Sequence, residues 1–218
     1  MKTILIIGNK NYSSWSLRAW LLLREAGIEF EERRLALDTP GFAQEIAQIS
    51  AAGYVPVLQL GDETVWDTLS IAETVAERWP EKNLWPADVA MRSHARSISA
   101  EMHSGFSNLR SCMPMNCRAM GRKVSIPDEV GDDIDRVISI WAECHRRYGD
   151  KGGWLFGDFS VADAMFAPVV LRFRTYGINL PESAGFYPQR LLESKAMQEW
   201  LLAAESETDV IEREEVGQ

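Results

Sequence analysis

Apolar positions in the first third of the chain come in short runs separated by polar punctuation. Thr3–Gly8 reads as a buried strand, Asn9–Ser13 as a polar turn, and Ser14–Ala26 as a helix whose stop signal is Gly27. Ile28–Leu37 carries a strand-like stretch, Phe30–Leu35, and a helix is expected around Phe42–Ile49. Val55–Leu60 and Thr64–Trp66 flank Gly61-Asp62, a dipeptide suited to a tight hairpin, and Asp67–Trp79 again has helical spacing. The order β-α-β-α-β-β-α specifies a small mixed sheet with helices on its faces, because the β-α-β crossover is parallel and the hairpin antiparallel. Residues 1–79 are therefore expected to form one α/β domain, residues 80–88, with two prolines nearby, a linker, and residues 89–218 an all-helical domain. Its helices are expected over Val89–Met120, Pro127–Tyr148, Ser160–Tyr176 and Leu191–Ala204. Gly105 and Pro114 should kink the first of these, and the acidic tail after Glu205 should fray.

Composition narrows the partners. The net charge of -9 argues against a phosphate-tracking surface, so nucleic acid and anionic membrane are not expected. The opening run Thr3–Ile7 is too short for a signal h-region or a membrane span, which gives the expectation of a soluble, cytoplasmic protein. Cys112, Cys117 and Cys144 form neither a CxxC pair nor a zinc spacing, and His94, His103 and His145 are scattered. No metal is expected, and the thiols should be reduced and mostly buried.

Three short segments can carry chemistry. Asn11-Tyr-Ser-Ser-Trp-Ser-Leu-Arg18 puts hydroxyls at the start of a helix, where Ser13 or Ser14 could simply cap it or could donate to a bound anion. Gly53-Tyr-Val-Pro56 enters a strand through an X-Pro bond, a position that forfeits no interior ladder bond. Asp67 and Thr68 open another helix, either as a cap or as an anion receptor. Ser160-Val-Ala-Asp163 is a capping-box pattern with Asp in the place of Glu, a structural signal.

Taken together and in this order, the segments resemble the serine-type glutathione transferases, most of all the zeta class with its Ser-Ser-Cys-Ser-x-Arg-x-Arg motif. Ser13, Ser14, Ser16 and Arg18 match that motif, whereas Trp15 and Trp20 stand where it has cysteine and a second arginine. The resemblance implies a thioredoxin-like amino-terminal domain followed by an all-α domain, with glutathione as co-substrate. It implies that Ser13, with Ser14 the alternative, donates to the glutathione sulfur. It further implies that a cis Val55-Pro56 bond presents the Val55 backbone to the cysteinyl unit, that Thr68 receives the γ-glutamyl carboxylate, and that Asp67 receives the ammonium. Many relatives have Lys or Gln just before Val-Pro; Gly53 and Tyr54 here leave the glycyl carboxylate without an evident receptor, and neither Arg18 nor Arg33 can be placed near it. A small electrophile would bind between the domains, at His103, Phe106, Arg110 and Met113, with His103 and Arg110 on one helix face. The implied activity is conjugation or glutathione-dependent isomerisation by a homodimer. A non-catalytic scaffold of the same fold is the alternative, and the lack of a cysteine at the first helix's start argues against a thiol-disulfide oxidoreductase.

Overall fold

The computed structural model describes residues 2–149 and 152–218. Its sheet has four strands, β1 (Thr3–Ile7), β2 (Glu31–Arg34), β3 (Val57–Leu60) and β4 (Glu63–Trp66), in the order β2-β1-β3-β4. β1 pairs parallel to β2 and antiparallel to β3, and β3 runs antiparallel to β4 through the Gly61-Asp62 turn. Between them lie α1 (Ser14–Glu25) and α2 (Pro40–Ala47), and α3 (Thr68–Arg78) follows the hairpin. Gly27, at φ +64°, supplies the left-handed residue that ends α1's run and turns the chain toward β2.

Period-two alternation divides the apolar residues between the two faces of the sheet. Leu5 and Ile7 of β1 and Leu58 and Leu60 of β3 join the main core under α1 and α3. Ile6 and Val57 point the other way and pack with Leu35 and Ile46 beneath α2. The side chains of β2 are all exposed, as suits an edge strand of Glu and Arg.

A helical half follows: α4 (Val89–Ser104), α5 (Ser107–Cys112), α6 (Asp128–Tyr148), α7 (Val161–Tyr176), α8 (Tyr187–Leu192) and α9 (Lys195–Glu205). Beyond β4, the described residues contain only two isolated β-bridges, at residues 154–158. Of the described helices, α7 is buried almost all round and packs on both α1 and α4, so it joins the sheet half to the helical half. No described helix is long and apolar enough to cross a membrane.

Three expectations are corrected. The stretch Val89–Met120 is not one kinked helix: α4 ends at Gly105, Phe106 adopts the left-handed conformation (φ 57°), and residues after α5 are irregular. A β-carbon at Gly105 would lie 2.8 Å from the Glu101 carbonyl oxygen, so the backbone closes there as only glycine permits. Leu191–Ala204 is two helices, because the Ser194 hydroxyl accepts from the Met197 N–H and starts a new one. The acidic tail does not fray. Its Glu207 carboxylate accepts from the Lys10 and Asn11 backbone N–H groups at 2.8 and 3.0 Å, Ile211 is buried, and Glu215 takes hydrogen bonds from Tyr12, Asn116 and Arg122. Arg118 adds bonds to the carbonyls of Glu207 and Asp209. The tail is a strap across the turn that precedes α1, held by charge-assisted bonds to partners far away in sequence.

Candidate functional site

The site is assembled at the start of α1. Ser13 is its N-cap: its hydroxyl donates to Ser16 Oγ at 2.7 Å and accepts from the Ser16 N–H at 3.4 Å, and Ser16 Oγ accepts from the Gly8 N–H at 3.0 Å. This chain of contacts fixes the turn to the end of β1. Ser14 is differently placed. Its hydroxyl accepts from Arg172 Nη2 at 3.3 Å and has no acceptor for its own hydrogen among the described residues.

Arg172, on α7, is wholly enclosed and also donates to the carbonyls of Arg110 and Met113. Burial lowers its guanidinium to about 10, so it still carries its charge at neutral pH. The ring of Trp15, one residue along, is approached by two guanidinium groups, Arg18 at 4.3 Å and Arg110 at 5.3 Å from its centroid, and by His103 in an edge geometry at 5.3 Å. Arg18 is interior, its Nε donating to the Met165 carbonyl at 2.8 Å, and burial pushes it well below the usual arginine range. Arg33 stands on the exposed edge strand near Glu45. Neither of these two arginines lines the cleft described below.

At the mouth of β3 the Val55-Pro56 bond is cis. Asp67 precedes α3 at φ 72°, with Oδ1 accepting from the Leu69 and Ser70 N–H groups at 2.9 and 3.2 Å and Oδ2 lying 3.1 Å from His103 Nε2. The buried Thr68 hydroxyl donates to the Trp15 carbonyl at 3.4 Å, joining the starts of α3 and α1.

These pieces line one cleft with two chambers. The first, about 320 Å³, is bounded by Trp15, Val55, Pro56, Asp67, Thr68 and His103. The second, about 820 Å³, runs past Ser13, Ser14 and Arg172 to the loop Leu37–Pro40. Trp15, Tyr54, Val55 and Arg110 border both chambers. Eight sequence-expected residues thus meet in one cleft: Ser13, Ser14, Val55, Pro56, Asp67, Thr68, His103 and Arg110.

Phe106 and Met113, expected at the electrophile site, are placed elsewhere. Both are buried and neither lines a chamber: Phe106 caps the start of α5 and turns its ring into the core, and Met113 closes that helix's other end. His103 and Arg110 share no helix face, since α4 ends between them; the break instead lets Arg110 Nη1 reach the His103 carbonyl at 3.5 Å. Trp15, Tyr54, Arg172 and Arg213 are cleft residues that sequence reasoning did not place. A charged residue just beyond the apolar run Ala164–Leu171 was a signal for Arg172; Arg213 had none, lying in a stretch that reads as a solvated acidic tail.

Cys117 and Cys144 are buried, and burial pushes both thiols up to about 12, far from a reactive thiolate. The described residues hold no group of three His, Cys, Asp or Glu able to bind a metal ion.

Residues 12–78 match the family described as glutathione S-transferase, N-terminal domain. A zeta-class glutathione S-transferase of Euphorbia esula is 30% identical over 128 residues, covering 58% of this chain and 56% of that protein. A probable maleylacetoacetate isomerase of Caenorhabditis elegans is 23% identical, with 77% of each chain covered. Among solved structures, a glutathione transferase homolog from Burkholderia GL BGR1 with bound glutathione superposes with a TM-score of 0.71 at 24% identity, over 95% of this chain and 100% of that one. The fold is thioredoxin-like in its first half and all-α in its second, residues 12–78 are similar to the amino-terminal domain of glutathione S-transferases, and a zeta-class protein is among the chain's relatives.

Proposed function

We propose that the chain binds glutathione along the two-chambered cleft and activates its thiol for attack on a small, acidic electrophile, by conjugation or by glutathione-dependent isomerisation. The observation that carries this reading is that one cleft joins the helix starts at Ser14 and Thr68 through the Val55 backbone. A tripeptide lying against Val55 as an added strand has its γ-glutamyl carboxylate at Thr68, where the Thr68 N–H and the positive end of α3 favour an anion, and its ammonium at Asp67. Its sulfur then faces the start of α1.

A free thiol near pKa 8.5 is only a few per cent ionised at neutral pH, so catalysis needs donors and positive charge aimed at sulfur. We assign the donating hydroxyl to Ser14. It accepts from the Arg172 cation and keeps its own hydrogen for a ligand, whereas Ser13 donates to Ser16. Arg172, Arg110 and the amino-terminal end of α1 all favour a thiolate. Arg110, beside Trp15 and His103, is placed to orient a carboxylate on the electrophile. Conjugation and isomerisation share this first step, and the isomerases among the relatives support the second outcome.

The proposal includes the division into residues 1–79, 80–88 and 89–218, and a cytoplasmic homodimer. Exposed Trp66 on β4 and Val89 at the start of α4 are apolar surface available for pairing. Calorimetric titration of chelator-treated protein is expected to show glutathione binding at millimolar ligand or below, together with turnover of an aromatic electrophile. Absence of both binding heat and thermal stabilisation at millimolar glutathione would remove the proposal.

A further inference from the structure

We propose that Arg213, carried on the carboxy-terminal strap, receives the glycyl carboxylate of glutathione; this rests on the glutathione reading above. With the γ-glutamyl end at Thr68 and the sulfur at Ser14, the remaining glycine extends into the second chamber, toward the loop Leu37–Pro40. A carboxylate arriving there needs a cation.

Three arginines line that chamber: Arg110, Arg172 and Arg213. Arg172 is enclosed, with its hydrogens given to the carbonyls of Arg110 and Met113 and to the Ser14 hydroxyl. Arg110 is stacked beside Trp15 on the wall shared with the first chamber. Arg213 stands on the loop side, with Nη1 2.6 Å from Asp38 Oδ1 and Nε 3.5 Å from Glu214 Oε1. An arginine fork has five N–H donors, so it can keep Asp38 on Nη1 and Glu214 on Nε and still turn its Nη2 hydrogens to a third carboxylate.

The strap fixes this position from both sides. Ile211 is buried two residues before Arg213, and Glu215, two residues after, is bonded to Tyr12, Asn116 and Arg122. The backbone carrying the guanidinium is therefore held on the same turn that presents Ser13 and Ser14.

The test compares glutathione with its glycyl monoethyl ester, in which a neutral ester replaces that carboxylate, by titration against the full chain and against Arg213→Gln. The unaltered protein is expected to bind the free acid about five- to tenfold more tightly than the ester. In Arg213→Gln this preference should fall below twofold, chiefly through weaker binding of the acid, and Arg213→Lys should restore part of it. An unchanged melting temperature confirms that the exposed substitution leaves the fold intact. A variant that keeps the full preference for the acid overturns the assignment of Arg213 alone. An unaltered protein that binds neither ligand overturns the glutathione reading beneath it.

Discussion

Asp163→Ala is expected to destabilise the chain by about 3–5 kcal/mol and to lower its melting temperature by roughly 10 °C. The Asp163 carboxylate is completely buried. It accepts from the Leu155 N–H at 2.9 Å and, through its other oxygen, from the Ser160 N–H and hydroxyl at 2.8 Å each. Alanine strands two buried backbone donors, each costing about 1–3 kcal/mol, and frees residues 155–160 from the start of α7. Because α7 is the helix on which α1 and α4 both pack, the loss is felt across both halves. Burial raises Asp163 to about 7, against the opposing pull of its hydrogen bonds. A raised folded-state value means that the folded chain holds this proton more tightly than the unfolded one. The associated stability is present in full below about pH 4 and is lost as pH climbs through about 7. The gap between the unaltered protein and Asp163→Ala should therefore be widest in mild acid and narrow toward neutrality. Denaturant unfolding at a series of pH values measures it; a gap below 1 kcal/mol at pH 5 contradicts the account.

Ser14→Ala is expected to lower turnover with glutathione roughly ten- to hundredfold at neutral pH while weakening glutathione binding only modestly. A hydrogen bond to a charged sulfur contributes about 1.5–3 kcal/mol, and it favours the thiolate over the thiol, so its loss falls on the reactive state. Activity should recover partly as pH rises, because solvent then ionises the thiol without help. Ser13→Ala is the contrasting case: losing the cap of α1 should cost about 1 kcal/mol of stability and leave turnover per folded molecule within a few-fold. Should Ser13→Ala show the pH-dependent loss and Ser14→Ala not, the donating hydroxyl is Ser13. Full turnover in both variants across the pH range removes serine activation altogether.

What could be read from the sequence was what is encoded locally. The order of strands and helices through Arg78 follows from runs of period two and period 3.6 between turn residues, and the helix starts at Ser14 and Thr68 follow from capping chemistry. The errors arose where a distant partner decides the outcome. Gly105 in a helical pattern reads equally as kink or as terminus, and the left-handed Phe106 that makes it a terminus is held by its place in the core. Leu191–Ala204 has continuous helical spacing, yet the Ser194 cap starts a second helix within it. The tail's run of Glu and Asp looks like solvated chain until Lys10, Tyr12, Arg118 and Arg122 are seen around it. Arg172 and Arg213 could not be assigned to the cleft for the same reason: each reaches it across about 160 to 175 residues of chain, from α7 and from the strap.

The strap also sets a schedule for biogenesis. The turn before α1 leaves a ribosome well ahead of its clamp, because the Glu207 carboxylate that holds its N–H groups is encoded 197 residues after Lys10. At the usual pace of synthesis the amino-terminal sheet, complete once β4 has been made, can collapse roughly 7–30 s before that clamp exists. A nascent chain stalled short of residue 207 would thus display the sheet with its first turn unclamped, and the cleft would be finished only once the strap has emerged.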